Sequence, residues 1–276
     1  MLPDFPTELT PRADTAAVRV RSAGLDLPGV LHLPAGPGPH PVVLVLHGFP
    51  GFERNFDLAH YLRRSGYATL VFHYRGSWGS AGTWSWAHVL QDCTAAVEWV
   101  RSVADAHRLD PTAVALVGHS LGGFAALQTA AADGGVRAVA SIAGFDLGAA
   151  ARICRDRPDV AQELAAAFDA FTLPLSGTSG DALVAELSDA GAAWELTALG
   201  PALADRPVLL VGAGHDTDAP VDVHHAPLVD ALSLNRTGPL HHHVLPTDHA
   251  LSDHRVALGE IVRDLLVEEV PPAPRR

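Results

Sequence analysis

Residues 113–123 read "AVALVGHSLGG", and what this stretch becomes decides the fold. "AVALVG" (113–118) is a short apolar run, the pattern of a strand covered on both faces in a parallel sheet. "GGFAALQTAAA" (122–132) reads as a helix. Between them Ser120 is flanked by Gly118, Gly122 and Gly123. A plain Gly-Ser turn needs one glycine for its positive φ and no serine at its tip. Strand, G-H-S-L-G, helix is instead the arrangement of a nucleophile elbow, whose tight turn forces serine into a strained conformation and lifts Oγ above the sheet. Glycine is required at 118 and 122 because side chains there would clash inside the turn.

The flanking sequence repeats the alternation. "VVLVLHG" (42–48), "YATLVFHY" (67–74), "VRAVASIAG" (136–144), "PVLLVGAG" (207–214) and "HHHVLP" (241–246) read as strands. Helical patterns cover about 55–65, with Asn55 as N-cap and Gly66 as stop, about 88–104, and 252–269. Two further strands, "AAVRVRS" (16–22) and "LPGVLHLP" (27–34), precede them. The expected fold is α/β, a mainly parallel central sheet with helices on both faces. Residues 147–200 interrupt the pattern with Ala-rich helices and no strand. The division is therefore an N-terminal arm (1–15), a core (16–146 and 201–269), a helical cap insertion (147–200) and a disordered tail (270–276).

A serine hydroxyl is a weak nucleophile without a base, and the base must be oriented by a third group. In this fold class reactive groups gather at the carboxyl ends of the strands. "GHDTDAP" follows the strand at 207–214 and supplies Asp216 as the acid; Asp218 is its close rival and Asp146 a weaker one. "PTDHALSDH" follows the last strand and supplies His249 as the base, in the chain order Ser, acid, His. The oxyanion donors are the backbone N–H of Leu121 and that of Phe49 in "HGFPG" (47–51), since Pro50 has none to give. His119 is expected to pack sideways under the elbow and His254 to lie at the surface. The run His241–His243 invites a metal reading, but alternate strand residues face opposite sides, so three neighbours cannot converge on one ion. No metal and no organic cofactor is implied.

Composition narrows the partners. The 276-residue chain has 31 acidic and 19 basic residues, every basic one arginine, for a net charge of −12. Such a chain is a poor polyanion binder, which argues against nucleic acid. No stretch approaches the roughly 18 apolar residues of a membrane span. The N-terminus lacks the pattern of a signal peptide, and Cys93 and Cys154 make no disulfide framework, so a cytoplasmic protein is expected.

Together H-G-F-P-G (47–51), G-H-S-L-G-G (118–123), "GAGHDTDAP" (212–220) and "TDHALSDHR" (247–255) resemble the α/β-hydrolase superfamily over roughly residues 16–268. "YRGSWGSAGTWSW" (74–86) and the "DHALSDHR" ending are most similar to its single-domain bacterial branch, the dienelactone-hydrolase-like and prolyl-oligopeptidase-like serine esterases. The resemblance implies a Ser120–Asp216–His249 triad and an oxyanion N–H from the residue after H-G. Two departures stand out. Nothing in these residues resembles a β-propeller, and the expected nucleophile is neither cysteine nor aspartate. Trp78, Trp84 and Trp86 are expected to face an apolar or aromatic substrate, with Phe168, Phe171 and Trp194 as further candidates for the pocket wall.

The expectation is a serine hydrolase acting on a small-molecule carboxylic ester through an acyl-enzyme. An aminopeptidase or acyl-peptide hydrolase would use the same triad, and no Glu-Glu pair near a strand end marks an ammonium site. A non-catalytic ligand-binding protein would need neither triad nor oxyanion loop. Oligomeric state is not legible.

Overall fold

The computed structural model describes residues 9–272. Residues 1–8 of the expected arm and 273–276 of the expected tail lie outside the described residues. One eight-stranded sheet runs in the order β1-β2-β4-β3-β5-β6-β7-β8. Its strands are β1 (Asp14–Ser22), β2 (Leu25–Leu33), β3 (His40–Leu46), β4 (Ala68–Phe72), β5 (Leu109–His119), β6 (Val136–Ile142), β7 (Val208–Ala213) and β8 (Leu240–Leu245). β2 pairs antiparallel with both β1 and β4, and every pairing from β4 to β8 is parallel. Two expected boundaries move: Asp14 and Thr15 already belong to β1, and Val270, assigned to the tail, is buried in the core.

The continuous apolar runs are strands covered on both sides. In β3, Val42, Leu44 and Leu46 join one core cluster, and Val43 and Val45 the other. The first cluster is closed by α2 (Trp86–Ser102), α4 (Leu121–Ala132) and α8 (Ala226–Ser233), the second by α1 (Phe56–Ser65) and α9 (Arg255–Glu269). A short α3 (Ala104–His107) leads into β5. No helix among the described residues is long and apolar enough to cross a membrane.

α1 stops at Gly66 as expected, with φ 107°. Asn55 does not cap it. Its side chain makes no cap hydrogen bond; its own φ is 56° and its Oδ1 accepts from Arg255. α2 starts two residues before the expected position because Ser85 Oγ accepts the His88 N–H, which puts Trp86 on the helix rather than in the loop. α8, absent from the sequence reading, follows a π-helical turn at Val221–His225.

Between β6 and β7 lie α5 (Leu147–Asp156), α6 (Pro158–Asp169) and α7 (Gly180–Ala190). This segment is bolted to the loop between β4 and α2. Trp78 N–H donates to Pro174 O, Trp84 N–H to Ser176 O and Ser176 N–H to Gly76 O, at 2.8, 2.9 and 2.8 Å. Glu186 on α7 accepts the Trp86 and Ala87 N–H groups at 2.9 and 2.8 Å, and Trp86 Nε1 donates to Leu183 O. The carboxylate thus satisfies two donors that the start of α2 leaves free. Glu186→Ala is expected to cost about 1–2 kcal/mol in urea unfolding, with Glu186→Gln recovering part of it because an amide oxygen still accepts.

Candidate active site

Ser120 occupies the single-residue corner between β5 and α4, with φ 56° and ψ −121°. Non-glycine residues rarely hold such a conformation, and here the surroundings fix it. Ser120 N–H donates to Ile142 O, and its carbonyl accepts from Gly123 and Phe124 of α4 and from Phe145. The glycines are dictated by contact distance. A Cβ on Gly118 would stand 1.9 Å from Gly122 O, and one on Gly122 2.1 Å from Leu46 O. Both obstacles are backbone and cannot rotate away. Gly122→Ala is therefore expected to destabilise the chain by more than about 3 kcal/mol, beyond ordinary overpacking, as read from its urea midpoint.

Asp216 follows β7 and His249 follows β8, and the two side chains meet: His249 Nδ1 lies 2.7 Å from Asp216 Oδ2. The other carboxylate oxygen accepts the N–H groups of Asp218 and Ala219, both at 2.8 Å. Burial alone would raise the Asp216 pKa, but the hydrogen bonds from His249, Ala219 and Asp218 outweigh it and hold the carboxyl below its ordinary value. An acceptor-only carboxylate fixes the proton of neutral His249 on Nδ1 and leaves Nε2 as the basic nitrogen. Ser120 Oγ and His249 face one cavity of about 420 Å³. Oγ has no hydrogen-bond partner among the described residues.

The rival acids are occupied otherwise. Asp146 is the N-cap of α5, with Oδ1 accepting from Gly148 and Ala149. Asp218 is exposed and bonds Asp216 through its backbone N–H. One ligand atom each from Asp216, Asp218 and His249 lies within 4.8 Å, the geometry a small cation could use, but the Asp216–His249 hydrogen bond holds a proton in that space. The histidines of β8 sit in register beside β7 on the sheet's edge strand, alternating between its faces.

Phe49 and Leu121 both line the cavity, Leu121 at the first position of α4, where the helix leaves its N–H groups unpaired. The loop carrying Phe49 is held from behind. Tyr74 OH donates to His47 O, and Trp78 Nε1 donates to Pro50 O.

That contact corrects the reading of the tryptophans. Trp78 is a strut of the Phe49 loop, and Trp84 is buried behind Phe49 and Trp86, with ring centroids 5.2 and 4.7 Å away. Only Trp86 of the three reaches the cavity. Phe168 and Phe171 of the inserted segment also line it, whereas Trp194 packs on Phe124. The loop's spacing could not separate these roles, because they depend on contacts with residues up to a hundred positions away.

His119 also sits differently from expectation. Rather than lying under the elbow, its ring stands 4.9 Å from that of His249, and Nε2 donates to His249 O at 2.8 Å. Burial, with nearby His249, lowers its pKa to about 4, so it is a neutral donor that holds the His249 loop. Sequence reasoning missed His224, which stacks on Phe145 and accepts the Asp146 N–H through Nδ1. Burial lowers its pKa to about 4 as well.

The family model described as the alpha/beta hydrolase fold matches residues 41–188. The 2,6-dihydropseudooxynicotine hydrolase of Paenarthrobacter nicotinovorans is 32% identical over 123 residues, 44% of this chain and 33% of that protein. The chain thus aligns with about a third of the length of that curated relative. Among solved structures, dienelactone hydrolase from Anabaena variabilis superposes with a TM-score of 0.60 at 21% identity, covering 94% of this chain and 99% of that one. A Pyrococcus furiosus esterase gives 0.68 at 15% identity, covering 97% of each. At these identities the two structures share the fold with this chain.

Proposed function

The chain belongs to the alpha/beta hydrolase family, and from that premise we propose that it is a serine hydrolase cleaving a carboxylic ester through an acyl-enzyme. The observation that carries the reading is that His249, hydrogen-bonded to buried Asp216, lines the same cavity as a serine held in a strained elbow. His249 Nε2 takes the Ser120 proton as Oγ bonds to the ester carbonyl carbon. The Phe49 and Leu121 N–H groups receive the tetrahedral oxyanion, each such donor contributing about 2.7–4 kcal/mol to the barrier reduction. As the C–O bond to the alcohol breaks, His249 returns the proton to the leaving oxygen. Water, deprotonated by the same nitrogen, then releases the acid and restores Ser120. Asp216 stabilises the imidazolium throughout.

The test is a panel of p-nitrophenyl esters from acetate to laurate, run beside an aminoacyl p-nitroanilide. Ester turnover that peaks at one chain length, with weak anilide turnover, is the expected result. Dominant anilide turnover would replace the ester reading with a peptidase, and turnover of neither would leave a ligand-binding protein.

A further inference from the structure

The cavity's walls and its charges point to a narrower substrate class, an inference that rests on the Ser120 cavity being the substrate site. Its apolar wall is built from both halves of the chain: Phe49 and Trp86 from the core, Leu147, Leu164, Phe168 and Phe171 from the inserted helices. Phe49, Trp86 and Phe168 form a mutually packed aromatic cluster, with centroid separations of 5.2–5.4 Å, so this wall is rigid. Rigid aromatic faces accept flat apolar groups, and their negative faces favour a cation over an anion.

The fixed charges run the same way. Glu53, one oxygen of which accepts the Asn55 N–H, and Asp218 line the cavity, and no described arginine does; the sequence contains no lysine. The arginines around the site are committed elsewhere. Arg54 follows Glu53 directly, but its guanidinium lies over Trp78 at 4.5 Å and its Nε donates to Gly51 O. Arg255 is bound to Asp57 and Asn55, Arg75 to buried Asp92, and Arg152 to Glu195. The positive end that does face the cavity is the N-terminus of α4, which the reaction needs for the oxyanion. A substrate carboxylate would lose its water, meet two like charges and find no lysine or described arginine.

We propose that the site takes an apolar, aryl-sized acyl group that is uncharged or positively charged, and excludes acyl groups bearing a carboxylate. The experiment uses three probes without a scissile ester: 3-phenylpropanamide and its derivatives carrying an aminomethyl (ammonium) or a carboxylate group at the para position of the ring. Each is titrated at low salt into the full chain while tryptophan fluorescence is followed, since Trp86 lines the cavity. The amide and the ammonium are expected to bind, the ammonium at least about tenfold tighter than the carboxylate. Replacing both acids, as Glu53→Gln with Asp218→Asn, is expected to bring that ratio within about threefold. A carboxylate that binds as well as the ammonium, a ratio unmoved by the double substitution, or binding of none of the three would overturn the proposal. Its fate is separable from that of the ester reading. A chain that discriminates among the probes but cleaves no ester keeps this inference and loses the esterase. One that cleaves neutral and carboxylate-bearing p-nitrophenyl esters equally well does the reverse.

Discussion

Ser120→Ala is expected to lose about 10⁴-fold or more in ester turnover while unfolding within about 0.5 kcal/mol of the parent chain. The two halves of this result come from the same geometry. Ser120 Oγ has no hydrogen-bond partner among the described residues, so its removal leaves no buried group unpaired. Alanine can occupy the same corner because its Cβ is already accommodated there. The backbone conformation, φ 56° and ψ −121°, is one that glycine adopts most readily. Ser120→Gly should therefore be at least as stable as the parent and equally inactive. A residue that costs stability where glycine would not is placed for chemistry. Turnover that survives Ser120→Ala would reduce the elbow to a turn, and loss of both activity and stability would leave the serine's role structural. A fluorophosphonate label on Ser120, absent in the alanine variant, is the independent measurement.

How much of this was legible in the sequence follows from the range of the interactions involved. The strand runs and the elbow are local: apolar continuity at 42–46 and 113–118, and glycines whose clashes lie within a turn or with the neighbouring strand end. Asp216 and His249 meet because strand carboxyl ends in a parallel sheet converge, so topology alone brings residues 33 positions apart together. What escaped has no local signature. Glu186 reaches the N–H of Trp86 across 100 positions, and nothing in "VAELSD" sets that glutamate apart from its neighbours. The tryptophans of the loop share one composition but divide into a strut, a buried wedge and a wall because of what each meets. Asn55 has the residue type of an N-cap, and the arginine of α9 takes its oxygen instead. His119 was placed by its neighbour in sequence, whereas its partner is the His249 backbone, 130 positions on.

Asp216→Asn is expected to reduce turnover by about 10⁴-fold, and the geometry explains why so conservative a change is so damaging. Two N–H donors, from Asp218 and Ala219, hold one oxygen of the side chain on their side. In asparagine the amide oxygen must stay with them, which turns the NH₂ group toward His249 Nδ1. A donor there forces the imidazole proton onto Nε2, the nitrogen that accepts the Ser120 proton in the proposed mechanism. Asp218→Asn keeps the backbone N–H that Asp216 uses, so its loss on a neutral ester should be less than about tenfold, roughly that of one weakened contact. The reverse order of effects would make Asp218 the acid. The depressed Asp216 pKa adds a second, pH-dependent signature. Between the folded and unfolded values the unfolded chain binds more protons, so the stability supplied by this carboxylate is present above about pH 3.9 and is lost as pH falls through the folded value. The stability gap between the parent chain and Asp216→Asn should therefore narrow as the pH drops below about 4. A gap that stayed constant into acid would mean that the carboxylate draws no net stabilisation from the three donors it faces.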